Sequence, residues 1–339
     1  MTTQGKTDHL HQKIYDFLLY IYPLLSKYPK FEKFSLQTAT RNAILEMLQE
    51  VIKWDKTATK SHLYAADTAQ EWQIMALPFY DRVVQHAINN VLEPIFDKRF
   101  ISQSYACRKG KGMHAASDTL KNWLYEWQKF HPDEPLYAIK ADIHHYFQSI
   151  DHGILKAEIR KVIKDAGVLA LLDKIIDHNG NMPEGIGIPV GNLTSQLLAN
   201  IYLDKYIKHT LGAKQYIRYM DDFIILSPDK DELRCWLADI EAFLRDELRL
   251  ALNPKTTILA AKNGVDFVGY KHRATHRKVR PDSIKRVKRT IKKCESGKIT
   301  KEQLQKSIQS WTGHAGHVDS YNLRKKIKTL SDAAIQKAA

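Results

Sequence analysis

Three acidic side chains stand where predicted β-strands end. Asp142 closes the apolar stretch that begins at Leu136, and Asp221-Asp222 joins two apolar stretches, residues 216–219 and 223–226, whose arrangement predicts a β-hairpin. If this hairpin pairs beside the first strand, Asp221 comes next to Asp142. Carboxylate oxygens suit Mg2+, and two ions about 3.5–4 Å apart can activate an attacking 3′-hydroxyl and stabilise a leaving pyrophosphate. The three residues therefore indicate metal-assisted nucleotidyl transfer.

Each fragment of this pattern also has a simpler interpretation. Asp is a common turn residue, so an Asp-Asp pair between two strands is by itself more often only a turn. His144-His145 and the pair His314 and His317 could suggest a further metal site, yet neither comes with cysteines or in a zinc-binding spacing. We therefore expect no structural zinc, and we expect His314 and His317 to pack the C-terminal helices or to contact nucleic acid.

The elements that must position the carboxylates alternate strands with helices. Apolar residues at helical spacing predict helices within residues 10–60. The further predictions are, in order, helices near 82–94 and 115–130, a strand over 136–142, helices near 153–164 and 195–211, a hairpin over 215–227, a helix over 230–248 and short strands to Tyr270. This order predicts an α+β fold with a small antiparallel sheet flanked by helices.

The segment after Tyr270 predicts three helices with a basic face. Ile284, Val287 and Ile291 form an apolar stripe. The remaining faces of the same helix carry the basic residues Lys285, Arg286, Lys288, Arg289, Lys292 and Lys293. Thr300 with Gln303 makes a capping box for a second helix, and a third would run through Leu323, Ile327 and Leu330.

Positive charge is confined to the same end of the chain. Residues 271–339 hold 19 Lys and Arg against 5 Asp and Glu, whereas residues 1–270 hold 33 of each sign. A basic segment on a neutral body is typical of a module that binds a polyanion, because neutralising phosphates releases counterions. The alternative is a basic surface that is merely solvated.

Length and composition limit the class of protein. A chain of 339 residues with 44% apolar content can bury a sizeable core. Its three widely spaced cysteines fit neither a zinc half-site nor a disulfide scaffold, which favours a reducing compartment. No stretch approaches the roughly 20 apolar residues that cross a bilayer. We therefore expect a soluble, cytoplasmic protein with no membrane partner.

Seven ordered blocks resemble those of reverse transcriptases. The palm blocks are "KADIHHYFQSID", "GIPVGNLTSQLLANIYLD", the YMDD-containing "RYMDD", "LNPKT" and "FVGY", and the fingers blocks are "LPFYDRVVQHAI" and "SYACRKGKGMHAA". The resemblance implies a right-hand, RNA-directed DNA polymerase with two Mg2+ ions, for which Mn2+ can substitute. It also implies a helical extension over 1–60, fingers over 61–135, a palm with fingers insertions over 136–270 and a three-helix thumb over 271–339.

The resemblance also implies roles for single residues at the metals. Asp142 and Asp221 would coordinate both ions, Asp222 would complete the signature, and the backbone of Ile143 would lend an oxygen. Phe147 matches the aromatic ring that lies under the nucleotide sugar. Because such a ring collides with a 2′-hydroxyl, it favours dNTPs.

Further residues would contact the substrates. Lys255 matches a lysine near the triphosphate that can protonate the leaving pyrophosphate. Arg82 and Arg108 are candidates for binding the phosphates because guanidinium matches phosphate bidentately, and Gly191 and Gln196 would border the nucleotide. The six basic thumb residues would grip the RNA–DNA duplex through its shape and phosphates.

One block departs from the usual QGxxxSP pattern. Here it reads VGxxxSQ, with Val190 in place of Gln and Gln196 in place of Pro. This form resembles the reverse transcriptases of diversity-generating retroelements, which rewrite a gene with errors at template adenines during mutagenic retrohoming. Val190 is then a candidate fidelity residue, and a small basic accessory protein is an expected partner. The alternatives are a retron, antiphage or intron-type enzyme, or a catalytically silent RNA-binding protein.

Overall fold

The computed structural model describes residues 79–178, 182–204 and 212–337, which divide into two compact units. The first unit comprises residues 79–100 and 145–204, and the second comprises residues 101–144 and 212–337. The helices predicted within residues 10–60 lie outside the described residues.

The described residues form helices and strands in the order that the sequence indicates. They are α1 (Phe79–Asp97), α2 (Met113–Phe130), β1 (Tyr137–Ala141), α3 (Tyr146–Ser149), α4 (His152–Val162), α5 (Ala166–Asp177), α6 (Leu193–Tyr202), β2 (Gln215–Tyr219), β3 (Asp222–Ser227), α7 (Lys230–Asp246), β4 (Thr257–Ala260), a 3-10 turn (Ala261–Asn263), β5 (Val265–Phe267), β6 (Tyr270–His272), β7 (Arg277–Val279), α8 (Pro281–Glu295), α9 (Lys301–Ala315) and α10 (Tyr321–Lys337). The predicted α+β class is confirmed. Helix α5 was not predicted, although Asp165 caps it by accepting a hydrogen bond from the Val168 amide.

A four-stranded antiparallel sheet with strand order β2-β3-β1-β4 is the centre of the second unit. The predicted hairpin is confirmed: β2 pairs with β3 from Tyr219 opposite Asp222, and β1 pairs with β3 up to Ala141 opposite Phe223. The carboxylate-bearing turn therefore lies at the end of the sheet where β1 also ends.

The two faces of this sheet bury different residues because strand side chains alternate. Ala138, Ile217 and Ile224 pack in one cluster with Leu120 and Leu124 of α2. Helix α7 lies against β1 and β3 and buries Leu233, Ile240 and Leu244. The sheet therefore packs against two helices: α2, which precedes β1 in the chain, and α7, which follows β3.

The C-terminal helices form the predicted bundle after a small sheet. Strands β5, β6 and β7 make an antiparallel sheet that continues to Val279, and α8 then begins at Pro281. The bundle buries Val287 and Ile291 of α8. Thr300 and Gln303 form the predicted capping box reciprocally. The predicted third helix through Leu323, Ile327 and Leu330 is α10, on which Leu330 is 39% exposed.

The first unit holds a loop against its helices. Helix α6 packs on α1, where the Thr194 hydroxyl donates to Gln85 Oε1 at 3.0 Å. The loop before α6 is fixed by backbone bonds from the Gly187 amide to the Ile150 carbonyl and from the Ile188 amide to the Phe147 carbonyl, both 2.8 Å.

Within the described part of the chain, no helix has the length and apolar character to cross a bilayer. The three cysteines are free thiols: Cys107 and Cys235 are exposed and Cys294 is buried.

Candidate active site

A tight turn carries two of the three carboxylates. Strands β2 and β3 are joined so closely that Tyr219 pairs with Asp222, which leaves Met220 and Asp221 at the tip. Met220 has φ 61°, in the left-handed region that a two-residue hairpin turn demands at its first central position when it is of type I′ or II′. The register of β1 with β3, continued by one residue, sets Asp142 opposite Asp222. The turn and the end of β1 are therefore neighbours.

Asp142 is oriented by an asparagine from a distant part of the sequence. The Asn253 side-chain amide donates to Asp142 Oδ2 at 3.1 Å. The Asn253 backbone amide donates to the Asp142 carbonyl at 2.7 Å, and a bridge between Ile143 and Leu252 continues this pairing. The carboxylate at the end of β1 is thus held from both its backbone and its side chain.

Asp222 is held by a lysine of the neighbouring strand. The Lys140 ammonium lies 3.2 Å from Asp222 Oδ1, and the two side chains are 25% and 24% exposed. Lys140 and Asp142 are two residues apart in an extended chain, so they lie on the same side of it. Burial raises the pKa of Asp222, and the Lys140 ammonium works against that increase.

Asp221 is the carboxyl whose ionisation is most clearly opposed. Burial raises its pKa to about 6, and the nearby carboxylates of Asp142 and Asp222 add to the increase. Arg218 counteracts it weakly. This fully buried arginine donates to the Met220 carbonyl at 3.4 Å and to Ser104 Oγ at 3.2 Å, beneath the turn. Burial, more than uncompensated charge, therefore opposes the ionisation of Asp221.

These residues fit a hard divalent cation in their chemistry. The donors are carboxylate oxygens, which Mg2+ prefers. The pKa of Asp221 is raised first by burial and then by the carboxylates of Asp142 and Asp222, and a bound cation would favour its ionised form. Across the described residues, however, no three His, Cys, Asp or Glu side chains already stand together as a complete metal-binding group. The bonds from Asn253 to Asp142 and from Lys140 to Asp222 engage two of the three carboxylates instead.

The predicted phosphate-binding cations have different surroundings. Lys255 is exposed in the loop after Asn253, where its backbone amide donates to Asn253 Oδ1 at 3.0 Å. Arg108 donates to the carbonyls of Ile101 and Ser104 at 2.6 and 3.0 Å, so it also fastens its own loop. Arg82 is exposed on α1 in the first unit. Lys255 is linked to Asp142 through Asn253, and Arg108 is linked to the carboxylate-bearing turn through Ser104 and Arg218.

The remaining nucleotide and fidelity candidates lie in the first unit. Phe147 is partly buried beside Tyr146, with 5.7 Å between ring centroids. Val190 is partly buried two residues after Ile188, whose amide bonds to the Phe147 carbonyl. Gly191 is exposed with φ 107°. Gln196 lies inside the first turn of α6, because this helix begins at Leu193, two residues earlier than predicted.

The predicted basic face of α8 is solvent-exposed. All six of its basic residues are exposed, whereas Val287 and Ile291 are buried. The two histidines stack on rings outside the C-terminal helices: His314 on Tyr270 of β6, with 4.6 Å between ring centroids, and His317 on His114 of α2 at 3.6 Å.

Three residues of the site were in quoted motifs but received no role from the sequence. Lys140 could have been found from its spacing, because two residues along a strand put it beside Asp142. Asn253 gave no such signal, since Asp142 is 111 residues away in the chain. Arg218 bonds to the nearby Met220 carbonyl, but its contact with Ser104 spans 114 residues and gave no signal.

Two family models match the chain. A model described as reverse transcriptase (RNA-dependent DNA polymerase) matches residues 59–272, which is more than half of the chain. A model described as bAvd-like matches residues 9–79, almost all of them outside the described residues.

Individual proteins are similar over much of the chain. Protein YkfC of Escherichia coli (strain K12) is 28% identical over 233 residues, which cover 56% of this chain and 60% of YkfC. The group II intron-encoded protein LtrA of Lactococcus lactis subsp. cremoris is 23% identical over 338 residues, covering 78% of this chain and 53% of LtrA. The matches thus span little more than half the length of these relatives. Telomerase from Candida albicans, solved with a telomeric RNA fragment, has a TM-score of 0.49 at 12% identity and covers 76% of this chain and 49% of its own.

Proposed function

The chain belongs to the reverse transcriptase (RNA-dependent DNA polymerase) family, and we propose that it copies an RNA template into DNA at the site formed by Asp142, Asp221 and Asp222. The observation that carries this proposal is the pairing of the β2–β3 hairpin beside β1. That pairing sets the carboxylates of Asp221 and Asp222 within electrostatic reach of Asp142. The reverse transcriptase family match over residues 59–272 and the similarity to the group II intron-encoded protein LtrA support the proposal.

The carboxylates would hold the cations, and neighbouring residues would hold the carboxylates. Asp142 and Asp221, with the backbone oxygen of Ile143, are the proposed ligands of two Mg2+ ions, and Mn2+ can substitute. Bound ions of this kind activate the attacking 3′-hydroxyl and neutralise charge on the leaving pyrophosphate. Asp222 completes the acidic set while Lys140 offsets part of its charge.

The exposed ammonium of Lys255 is the proposed proton donor to the leaving group. A cationic acid near the triphosphate can deliver a proton as the bond between the α-phosphorus and pyrophosphate breaks. Its loop position next to Asn253 keeps its backbone close to Asp142. For Phe147 the proposed role is the one its motif implies, selection of dNTPs against rNTPs.

The C-terminal bundle is the proposed thumb. The exposed basic residues of α8 offer cations along one side of a helix whose other side is buried. Such a surface binds an A-form RNA–DNA duplex through phosphates without reading its sequence. The fingers over 61–135 and the palm over 136–270 are proposed with the boundaries that the motifs imply.

A primer-extension assay tests the polymerase activity. The full-length protein is given a DNA primer on an RNA template, dNTPs and Mg2+, and product length is measured over time. Asp221→Ala and Asp142→Ala should each lower the rate roughly a hundredfold or more, because each removes a proposed ligand of the ions that activate the 3′-hydroxyl and neutralise the leaving pyrophosphate. Asp133→Ala is the matched control, since Asp133 is an exposed loop aspartate. A wild-type protein that extends no primer would instead indicate a catalytically inactive RNA-binding protein with the same fold.

The enzyme's biological setting is proposed to be a diversity-generating retroelement. Two observations support this: the VGxxxSQ block at Val190–Gln196 and the bAvd-like match over residues 9–79. The second suggests that this chain itself carries the accessory function, in place of a separate small basic protein. Either way, the accessory function would dock the template RNA.

Deleting residues 9–58 tests that accessory role, because the deletion stops before the reverse transcriptase match begins at residue 59. The truncated chain should still extend a primer on an unrelated RNA but should lose preference for its own template RNA. An unchanged preference would argue for a separate partner. Genomic context separates the nearest alternatives, since a pair of repeats that differ at adenines is expected beside this enzyme and not beside a retron, antiphage or intron-type enzyme.

A further inference from the structure

Asn253 connects two residues to which the proposed function gives separate tasks. Its Nδ2 donates to Asp142 Oδ2 at 3.1 Å, and its Oδ1 accepts from the Lys255 backbone amide at 3.0 Å. Donor and acceptor of one planar amide are therefore both in use. One of them engages the acid at the end of β1, and the other shapes the loop that presents the lysine.

The backbone around Asn253 makes this connection rigid. The Asn253 amide donates to the Asp142 carbonyl at 2.7 Å, and the Asn253 carbonyl accepts from the Thr256 amide at 2.8 Å. Pro254 follows, and a residue before proline is held to extended backbone conformations. The amide group has few ways to move, so the carboxylate and the loop that it binds are held in a fixed relation.

We propose that Asn253 is a positioning residue that fixes the Asp142 carboxylate and the Lys255 loop relative to each other for the reaction. The inference rests on the proposed polymerase function. Because Nδ2 engages Oδ2, Oδ1 is the oxygen that the amide leaves to a cation. A carboxylate free to rotate would present either oxygen, and the cost of ordering it would then fall on cation binding.

The second hydrogen bond of the Asn253 side chain acts on Lys255. The bond from its backbone amide to Asn253 Oδ1 closes a turn of the kind that Asn and Asp side chains make two residues ahead. This turn fixes where the lysine side chain leaves the backbone. A shift of about 1 Å in such a group can cost on the order of a hundredfold in rate, so the turn has a kinetic consequence even though Asn253 touches no reacting atom.

Two substitutions by uncharged residues separate the bond to Asp142 from the bond to the Lys255 amide. Asn253→Ala removes both bonds. Asn253→Ser keeps a hydroxyl that can accept from the Lys255 amide but removes the amide that donates to Asp142. Asn263→Ala is the matched control, because Asn263 is an exposed asparagine in the 3-10 turn of the same unit. The full chain is used throughout, and thermal melting is recorded for every variant.

The first readout is Mn2+ affinity, measured by electron paramagnetic resonance without nucleic acid or dNTP. Both Asn253 variants should weaken Mn2+ binding to a similar extent, roughly 10- to 100-fold, as losses of outer-shell partners do. The second readout is kcat for primer extension in a double-mutant cycle with Lys255→Ala. Asn253→Ala and Lys255→Ala should be less than additive, whereas Asn253→Ser and Lys255→Ala should be additive.

Unchanged Mn2+ affinity in both variants, or full additivity of Asn253→Ala with Lys255→Ala, would overturn the proposal. So would loss of the wild-type melting transition in both variants, which would make Asn253 a folding residue. If only the alanine variant fails to fold, the Mn2+ affinity of the serine variant decides. If the wild type extends no primer, the proposed function is wrong. If the wild type extends a primer and the Asn253 variants match it in Mn2+ affinity and in kcat, this inference alone is wrong.

Discussion

Replacing Asp221 by asparagine should stabilise the protein while it abolishes polymerisation. The carboxyl lies in a site where burial and two other carboxylates oppose its ionisation and raise its pKa to about 6. Asparagine has nearly the same shape and no charge. The substitution therefore removes an unfavourable charge from the folded state and, at the same time, a proposed ligand of the metal ions.

The size of the effect follows from the two pKa values. The carboxyl titrates near 3.8 in the unfolded chain and near 6 in the folded one. Because the folded value is higher, the folded state binds the proton more tightly. The stability that this contributes is complete below pH 3.8 and is lost as the pH rises through 6. At about 1.36 kcal/mol per pKa unit, the wild type loses about 3 kcal/mol by pH 7.

The assay is urea unfolding at pH 7 and at pH 4, in EDTA and then in Mg2+. Asp221→Asn should have a free energy of unfolding up to about 3 kcal/mol higher than that of the wild type at pH 7 in EDTA, and nearly the same at pH 4. Mg2+ should narrow the difference, because the ion stabilises the form with the carboxylate. Asp133→Asn, on an exposed loop, should change none of these values.

A variant that is no more stable than the wild type at pH 7 in EDTA would refute the reasoning. It would mean that Asp221 is compensated in solution by groups that the structure does not set beside it. A stabilisation that persists undiminished at pH 4 would also refute it, because the gain would then not come from removing charge.

Three further predictions concern folding and fidelity. Burial lowers the pKa of His272 to about 4. Its contribution to the free energy of unfolding is therefore complete above pH 6.5 and is lost as the pH falls towards 4. His272→Gln should flatten that part of the unfolding profile by about 3 kcal/mol, whereas His86→Gln, exposed on α1, should not. Thr300→Ala should lower the free energy of unfolding by about 1 kcal/mol in urea, because it removes the capping box of α9. Val190→Gln should lower misincorporation at template adenines in sequenced cDNA, and an unchanged error rate would count against a role in fidelity.

Local sequence signals predicted most of the fold. The hairpin at 215–227, the strand before Asp142 and the capping box at Thr300 follow from alternation, turn residues and short-range hydrogen bonding. One boundary was less accurate, and one helix was not predicted. Helix α6 starts at Leu193, two residues before the predicted start and behind a turn at Gly191 with φ 107°. Helix α5 was missed although Asp165 caps its start.

The sequence by itself determined which residue types stand at the strand ends and that they are acidic, since this depends only on order along the chain. The tertiary structure alone decided which groups surround those acids. Lys140 reaches Asp222 across 82 residues, and Asn253 reaches Asp142 across 111. Such contacts depend on strand register and side-chain direction, which local patterns do not specify. Burial of Asp221, which raises its pKa, depends on the same packing.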